Sequence, residues 1–128
     1  MKQTLLIPGR LPSMNDIIDG SKTLIRVRGK RRTYQYTKDK QWFSGKIADL
    51  CHLQRLVPMA KVGVQVVFRE KRISRDPDNI IAGIKFILDG LTKAGVIRDD
   101  SFQYVKAISF GFEAEAEENQ IIVSVEEV

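Results

Sequence analysis

The 128-residue sequence has one cysteine, Cys51, and one histidine, His52. A single cysteine excludes an intrachain disulfide, and the lack of a Cys/His set argues against a zinc site. We interpret Cys51 as a small buried residue on a helix rather than a catalytic thiol. We find no Ser-His-Asp constellation and no glycine-rich phosphate loop. No window approaches eighteen uncharged apolar residues, so we expect no transmembrane span, no signal peptide, no membrane partner and a cytoplasmic location.

Acidic residues are scarce along most of the chain and concentrated at its end. The net charge is +5, but residues 113–128 contain no Lys or Arg and hold six of the sixteen acids: Glu113, Glu115, Glu117, Glu118, Glu126 and Glu127. The first 112 residues therefore carry 21 basic side chains against 10 acidic ones, a net charge of +11. This distribution is typical of a nucleic-acid-binding body with an acidic edge. On charge alone, a merely solvated basic surface is an equally good interpretation.

The hydrophobic pattern predicts a single α+β domain over residues 1–128. Strands are predicted over residues 2–8, 62–68, 103–112 and 120–128, the last two as an antiparallel pair, and residues 11–20 as a loop. One helix is predicted from about Tyr36 to before Pro58, and a second from Asp76 or Asp78 to about Ala94. The order β-α-β-α-β-β predicts a small mixed sheet packed by two main helices.

Two acidic pairs bracket the second helix. The run Arg75-Asp76-Pro77-Asp78-Asn79 opens it, and Asp99-Asp100 follows its end. Pro77 suits the first helical position, which makes Asp76 the N-cap and puts Asp78 in the first turn. Capping does not need both aspartates, and carboxylates that converge would repel one another without a cation. Hard oxygen ligands select Mg²⁺ or Mn²⁺, so the pattern favours a metal site, with helix capping and a turn at Asp99-Asp100 as the alternative.

The same helix has an apolar face and a polar ridge. At about 100° per residue, its core stripe is Ile80, Ile84, Ile87, Leu88 and Leu91. Asp78, Ala82, Lys85 and Asp89 lie on the opposite side. Taken alone, this ridge favours a solvated face with a Lys85–Asp89 pair.

Taken together, these segments resemble the RusA family of Holliday-junction resolvases. The likeness covers the run from Arg75 to Ile80 and the run from Leu88 to Asp100, which contain D-x-D-N, L-D-x-L and D-D elements. Upstream, Leu11-Pro12-Ser13-Met14-Asn15 resembles the family's P-S-x-N element. Order and spacing match over nearly the whole chain.

The resemblance implies which residues do the chemistry. Asp76, Asp78 and Asp100 match the metal-binding catalytic aspartates, with Asp99 as a close competitor of Asp100. Lys85 matches a catalytic lysine when the helix is aligned from its C-terminal end, whereas alignment from the N-terminal end puts Ala82 there. The distance from Asp78 to Asp89 is about one helical turn longer than in the shorter family pattern.

The implied function is Mg²⁺-dependent hydrolysis of branched DNA at a four-way junction by a homodimer, with Mn²⁺ as a possible substitute. The basic side chains expected to hold the DNA backbone are Arg26, Arg28, Lys30, Arg31, Arg32, Arg69, Lys71, Arg72 and Arg75. Two alternatives stay open. One is another metal-dependent nuclease that acts on flaps or single strands, and the other is a junction-binding module without catalysis.

Overall fold

The computed structural model describes residues 1–26 and 32–128. The strands are β1 (Lys2–Pro8), β2 (Leu24–Ile25), β3 (Thr33–Tyr34), β4 (Val62–Arg69), β5 (Val105–Glu113) and β6 (Gln120–Glu127). The helices are α1 (Met14–Lys22), α2 (Gln35–Leu53), α3 (Pro77–Ile80) and α4 (Ile84–Lys93), and a 3₁₀ turn over Ile81–Gly83 joins the last two. No helix among these residues is long and apolar enough to cross a membrane.

A four-stranded mixed sheet in the order β1-β6-β4-β5 carries the fold, and β2 and β3 form a separate small pair. β6 pairs antiparallel with both β1 and β4, whereas β4 and β5 are parallel. Val62, Val64, Val66 and Phe68 alternate along β4 and are buried on one face, under the helices. The predicted α+β class with a mixed sheet is confirmed.

The connection from β4 to β5 is a crossover that contains α3 and α4. Because the two strands are parallel, the end of β4 and the start of β5 lie at opposite ends of the strand pair. A strand of eight residues spans roughly 26 Å. This topology sets the distance between the two acidic pairs, since one pair follows β4 and the other precedes β5.

The expected antiparallel pairing of the last two strands is wrong. β6 lies between β1 and β4, while β5 occupies the far edge beside β4. The reason lies in the side chains: Ile121, Val123 and Val125 of β6 are fully buried, as a central strand requires, but β5 is largely exposed. The segment between the two strands carries the chain across the end of β4 instead of closing a hairpin.

The expected loop over residues 11–20 contains α1. Ser13 caps this helix: its side chain accepts a hydrogen bond from the backbone N–H of Asp16, and the Asp16 carboxylate accepts one from the backbone N–H of Ser13 at 2.9 Å. Such a capping box supplies partners for two backbone N–H groups that would otherwise lack them. The polar residues interpreted as turn formers therefore start a helix.

The second predicted helix is present, but the 3₁₀ turn divides it. Gly83 packs against Leu11 and Phe68, and a Cβ at this position would lie 3.2 Å from the Leu11 Cβ. Ala82, expected on the polar side, is buried, because α1 packs against this turn. The predicted end is confirmed: Gly95 has a φ of +76°, and Val96 N–H donates to the Leu91 carbonyl at 3.0 Å.

Candidate metal and nucleic-acid site

Two free carboxylates mark the start of α3. Asp76 occupies the N-cap position and its carbonyl accepts from the Ile80 N–H at 3.1 Å, but its side chain makes no capping hydrogen bond. Pro77 follows at the first helical position, and Asp78 lies in the first turn, as expected. Both aspartates are exposed, and neither side chain has a hydrogen bond or an ion pair among the described residues. Capping therefore does not account for them.

A buried ion pair fixes the loop that leads to Asp76. Glu70 is 6 % exposed, and its Oε1 accepts from Arg75 Nη1 at 2.6 Å. Arg10 Nε lies 3.5 Å from the same oxygen. Two arginines on one buried carboxylate form a strong, charge-assisted contact. Arg75 thus holds the residue next to it, Asp76, in place from within the protein.

A hydrogen bond joins two of the three runs that resemble the RusA family, the one that ends at Asn15 and the one from Arg75 to Ile80. The backbone N–H of Asn15 donates to Asn79 Oδ1 at 2.9 Å. Asn15 lies in the first turn of α1, and Asn79 in α3 directly after Asp78. The upstream element therefore positions the helix start that bears the carboxylates, a structural role that its sequence did not reveal.

Asp99 and Asp100 line a different cleft, of about 540 Å³, between α2 and the end of α4. Lys40, Lys93 and Asp89 line it too. Lys40 Nζ lies 3.7 Å from Asp89 Oδ2, an oxygen that is buried and has no hydrogen-bond partner in the described part of the chain. This mixture of acids and amines can accept either a cation or a phosphate.

Tyr36 is a polar residue of this region that sequence reasoning missed. Its buried hydroxyl lacks a hydrogen-bond partner among residues 1–26 and 32–128. Burial raises the pKa of Tyr36, the positive charge of Lys40 lowers it, and the negative charge of Asp89 raises it again. The phenol therefore stays protonated at neutral pH. No sequence pattern indicated this buried hydroxyl, because an aromatic residue at the start of a helix is common.

The two acidic pairs do not meet within one chain. Asp76 and Asp78 lie beyond the end of β4, and Asp99 and Asp100 before the start of β5, which puts them at opposite ends of a parallel strand pair. The helical path between them, over residues 77–93, is roughly 25 Å long. In agreement, no three Asp, Glu, His or Cys side chains of the described residues are grouped closely enough to hold one ion.

Lys85 is exposed in the first turn of α4. Seven residues separate it from Asp78, which corresponds to roughly 10 Å along the helix axis. The 3₁₀ turn between them adds about 20° of rotation per residue, so α4 is turned relative to the single helix that the sequence predicted. Lys85 still faces solvent, while Ala82, the alternative position for the lysine, is buried.

The residues expected to bind DNA fall into three groups. Arg69 and Arg75 are engaged in ion pairs, Arg69 Nε with Glu113 at 2.9 Å and Arg75 with Glu70. The exposed ones are Arg26, Arg32, Lys71 and Arg72. Arg28, Lys30 and Arg31 lie outside the described residues. Lys71 and Arg72 belong to the loop that ends at Asp76, so exposed positive charge precedes the free carboxylates in the chain.

Comparisons with models of protein families and with curated proteins give no match for this chain.

Proposed function

We propose that this protein is a metal-dependent endodeoxyribonuclease that resolves four-way DNA junctions by paired phosphodiester hydrolysis. The observation that carries the proposal is the pair of exposed carboxylates at the start of α3. Asp76 and Asp78 are not used for capping or ion pairing among the described residues, yet they follow a loop with exposed positive charge. Free acids within a basic surface are difficult to explain unless a cation joins them to a polyanion.

The donor chemistry at Asp76 and Asp78 fits Mg²⁺ or Mn²⁺. Mg²⁺ binds through one or two carboxylates and keeps other positions for water and phosphate, which matches two exposed aspartates separated by one residue. A bound Mg²⁺ supplies Lewis-acid polarisation of the scissile phosphate and a more acidic water. In the overall reaction, water gives its hydroxide to phosphorus and its proton to the leaving oxygen as the P–O bond breaks.

The protein's own residues orient the DNA around this point. Lys71 and Arg72 would contact backbone phosphates next to the carboxylates, largely without reading base sequence. Lys85 would offset negative charge on the phosphate or on the leaving oxygen. The Arg75–Glu70 ion pair would position Asp76 from behind, because it holds the preceding residue rigid. Each role is electrostatic and needs no covalent intermediate.

The separation of the two acidic pairs leads us to place the complete site across a homodimer. A two-fold axis perpendicular to α3 and α4 would make each of these helices antiparallel to its mate in the other copy. The start of α3 in one copy can then lie beside the end of α4 in the other, which brings Asp76 and Asp78 near the second copy's Asp99 and Asp100. A four-way junction is itself approximately two-fold symmetric, so two such sites would match its two cuts.

A second candidate function is a junction-binding module without catalysis. The observation that favours it is the absence of a three-acid group among the described residues of one chain. This candidate predicts that neutralising an aspartate leaves every measurable activity intact. The nuclease predicts lost cleavage with retained or improved binding, because removing a negative charge also removes repulsion of the DNA backbone.

The test is a cleavage assay on a synthetic four-way junction and on linear duplex, each with Mg²⁺ or EDTA. We expect the wild type to cut only the junction, and only with Mg²⁺. Asp78→Asn should reduce cutting by about 10²-fold or more while junction binding is kept. Asp49→Asn, an exposed aspartate on α2, is the matched control and should cut normally. Absence of Mg²⁺-dependent junction cleavage by the wild type would refute the proposal, and equal cutting of duplex would favour a nuclease without junction specificity.

A further inference from the structure

The edge strand β5 exposes a row of apolar side chains on the helix-covered face of the sheet. Ile108, Phe110 and Phe112 are 42 %, 36 % and 44 % exposed. Their register against Val64, Val66 and Phe68 puts them on the buried face of β4. Phe68 confirms this, because its ring stacks on Phe110 at 6.2 Å and on Phe112 at 5.9 Å between centroids. The helix layer therefore ends before it reaches β5.

The flank of α4 next to this row is apolar as well. Phe86 faces α2, with its ring centroid 5.7 Å from that of Phe43. At 100° per residue, Ile84 and Leu88 both lie about 160° from Phe86, on the flank away from α2. Because α2 contacts β1 at the opposite edge of the sheet, this flank is directed toward β5. Ile84 and Leu88 are only partly buried. Helix and strand thus contribute to one apolar side of the molecule.

The two edge strands differ in whether side chains cover their outer backbone groups. At β1, the Gln54 side chain donates to the Leu6 carbonyl and accepts from the Leu6 N–H, both at 2.8 Å. Gln3 makes the same two contacts with the backbone of Val57. The outer edge of β5 has no comparable cover among the described residues. Folded proteins usually block an exposed edge strand, so an open edge next to apolar side chains indicates a partner.

We propose that a second copy of this chain covers this surface, with the two β5 strands antiparallel about a two-fold axis near Ser109 and Phe110. The charges at the strand's ends favour that arrangement. Lys106 lies at the start of β5. At its end lies Glu113, which is already paired with Arg69, and beyond it lies Glu115, which has no ion pair among the described residues. Antiparallel pairing brings the basic end of each strand to the acidic end of the other, whereas parallel pairing would set like charges together. The apolar rows of both copies would then be enclosed between the two α4 flanks.

This inference deepens the proposed function, since it identifies the surface that would join the two copies. The same axis makes the two α3–α4 segments antiparallel, as the shared carboxylate site requires. Dimerisation through β5 does not depend on nuclease activity, however, so the two ideas can fail separately.

The experiment is light scattering after size exclusion, on the full chain without metal or DNA. We compare wild type, Phe110→Lys, Ile108→Lys and a matched control, Leu53→Lys, which replaces an apolar side chain that is 77 % exposed at the end of α2. We expect wild type and Leu53→Lys to be dimers at micromolar concentration. Phe110→Lys and Ile108→Lys should be monomers with at least a tenfold higher dissociation constant. Thermal unfolding checks that each variant is folded. If Phe110→Lys does not fold, the oligomeric state of Ile108→Lys tests the inference.

Two results would overturn the inference. A wild type that is monomeric at 100 µM would exclude a second copy as the partner and would leave another protein to cover β5. If wild type, Phe110→Lys and Ile108→Lys are all dimers, the interface lies on another surface. The second result leaves the proposed homodimer intact, and junction cleavage is measured independently in either case.

Discussion

Gly90 lies where α4 crosses α2, and replacing it with alanine tests the packing of the two helices. A Cβ at Gly90 would lie 2.6 Å from the Ile47 Cβ, would collide with the Ile47 Cγ2 and would be 3.1 Å from the Ser44 carbonyl oxygen. Ile47 is 1 % exposed, so its β-branched side chain has no free space to move into. Carbon atoms in contact are normally about 3.5–4.0 Å apart, so the helices would have to separate by roughly 1 Å.

Two opposing effects set the magnitude for Gly90→Ala. Alanine favours the helix over glycine by about 1 kcal/mol. Overpacking a close contact costs about 1–3 kcal/mol, and the Ile47 contact is at the severe end. We therefore expect the free energy of unfolding to fall by about 1–2 kcal/mol, which lowers the melting temperature by roughly 4–8 °C in a domain of this size.

The assay is urea unfolding followed by circular dichroism, with Gly45→Ala as the matched control. Gly45 lies in α2, and a Cβ there would have no atom within 4 Å. Gly45→Ala should therefore raise the free energy of unfolding by about 0.5–1 kcal/mol. Ile47→Ala should relieve part of the Gly90→Ala penalty in a double-mutant cycle. If Gly90→Ala stabilises the protein as much as Gly45→Ala does, the close approach of α2 and α4 is wrong.

Two further predictions concern buried groups. Glu70→Gln should lower the free energy of unfolding by about 1–3 kcal/mol in urea, because it removes the charge that balances Arg75 and Arg10. Unchanged stability would show that the ion pair is dispensable. Burial raises the pKa of the Cys51 thiol to about 11, so a thiol reagent should label it at pH 8 only after unfolding. Because the unfolded thiol ionises near pH 9.0, stability should also fall between pH 9 and pH 11, as the unfolded state loses the proton that the native state keeps.

The parts of the fold that sequence predicts well are those with local causes. The strand over residues 62–68 and the helix end near Ala94 both depend on constraints within a few residues, and both predictions are confirmed. The α1 helix was missed because Ser13 and Asp16 favour turns and helix starts alike. The place of β6 between β1 and β4 was missed for another reason: its pairing is decided by strands more than fifty residues away in sequence.

The candidate site also has some features with local causes and others that depend on residues distant in sequence. The free carboxylates at Asp76 and Asp78 follow from a local proline-initiated helix start, which the sequence predicts. Their distance from Asp99 and Asp100 follows from the parallel pairing of β4 and β5, which no local pattern indicates. The side-chain oxygens of Tyr36 in α2 and Asp89 in α4 are buried because the two helices pack against each other. Sequence patterns within one helix do not indicate this burial.

The central claim is that Asp76 and Asp78 of one copy act with Asp99 or Asp100 of another, and subunit mixing tests it most directly. Asp78→Asn and the double variant Asp99→Asn/Asp100→Asn should each be inactive alone on a four-way junction with Mg²⁺. A mixed dimer of the two has one site that lacks Asp78, Asp99 and Asp100 together, and one intact site. An equal mixture that exchanges subunits should therefore regain single nicks, at roughly a quarter of the wild-type number of sites. No recovery, although mixed dimers are shown to form, would contradict the account.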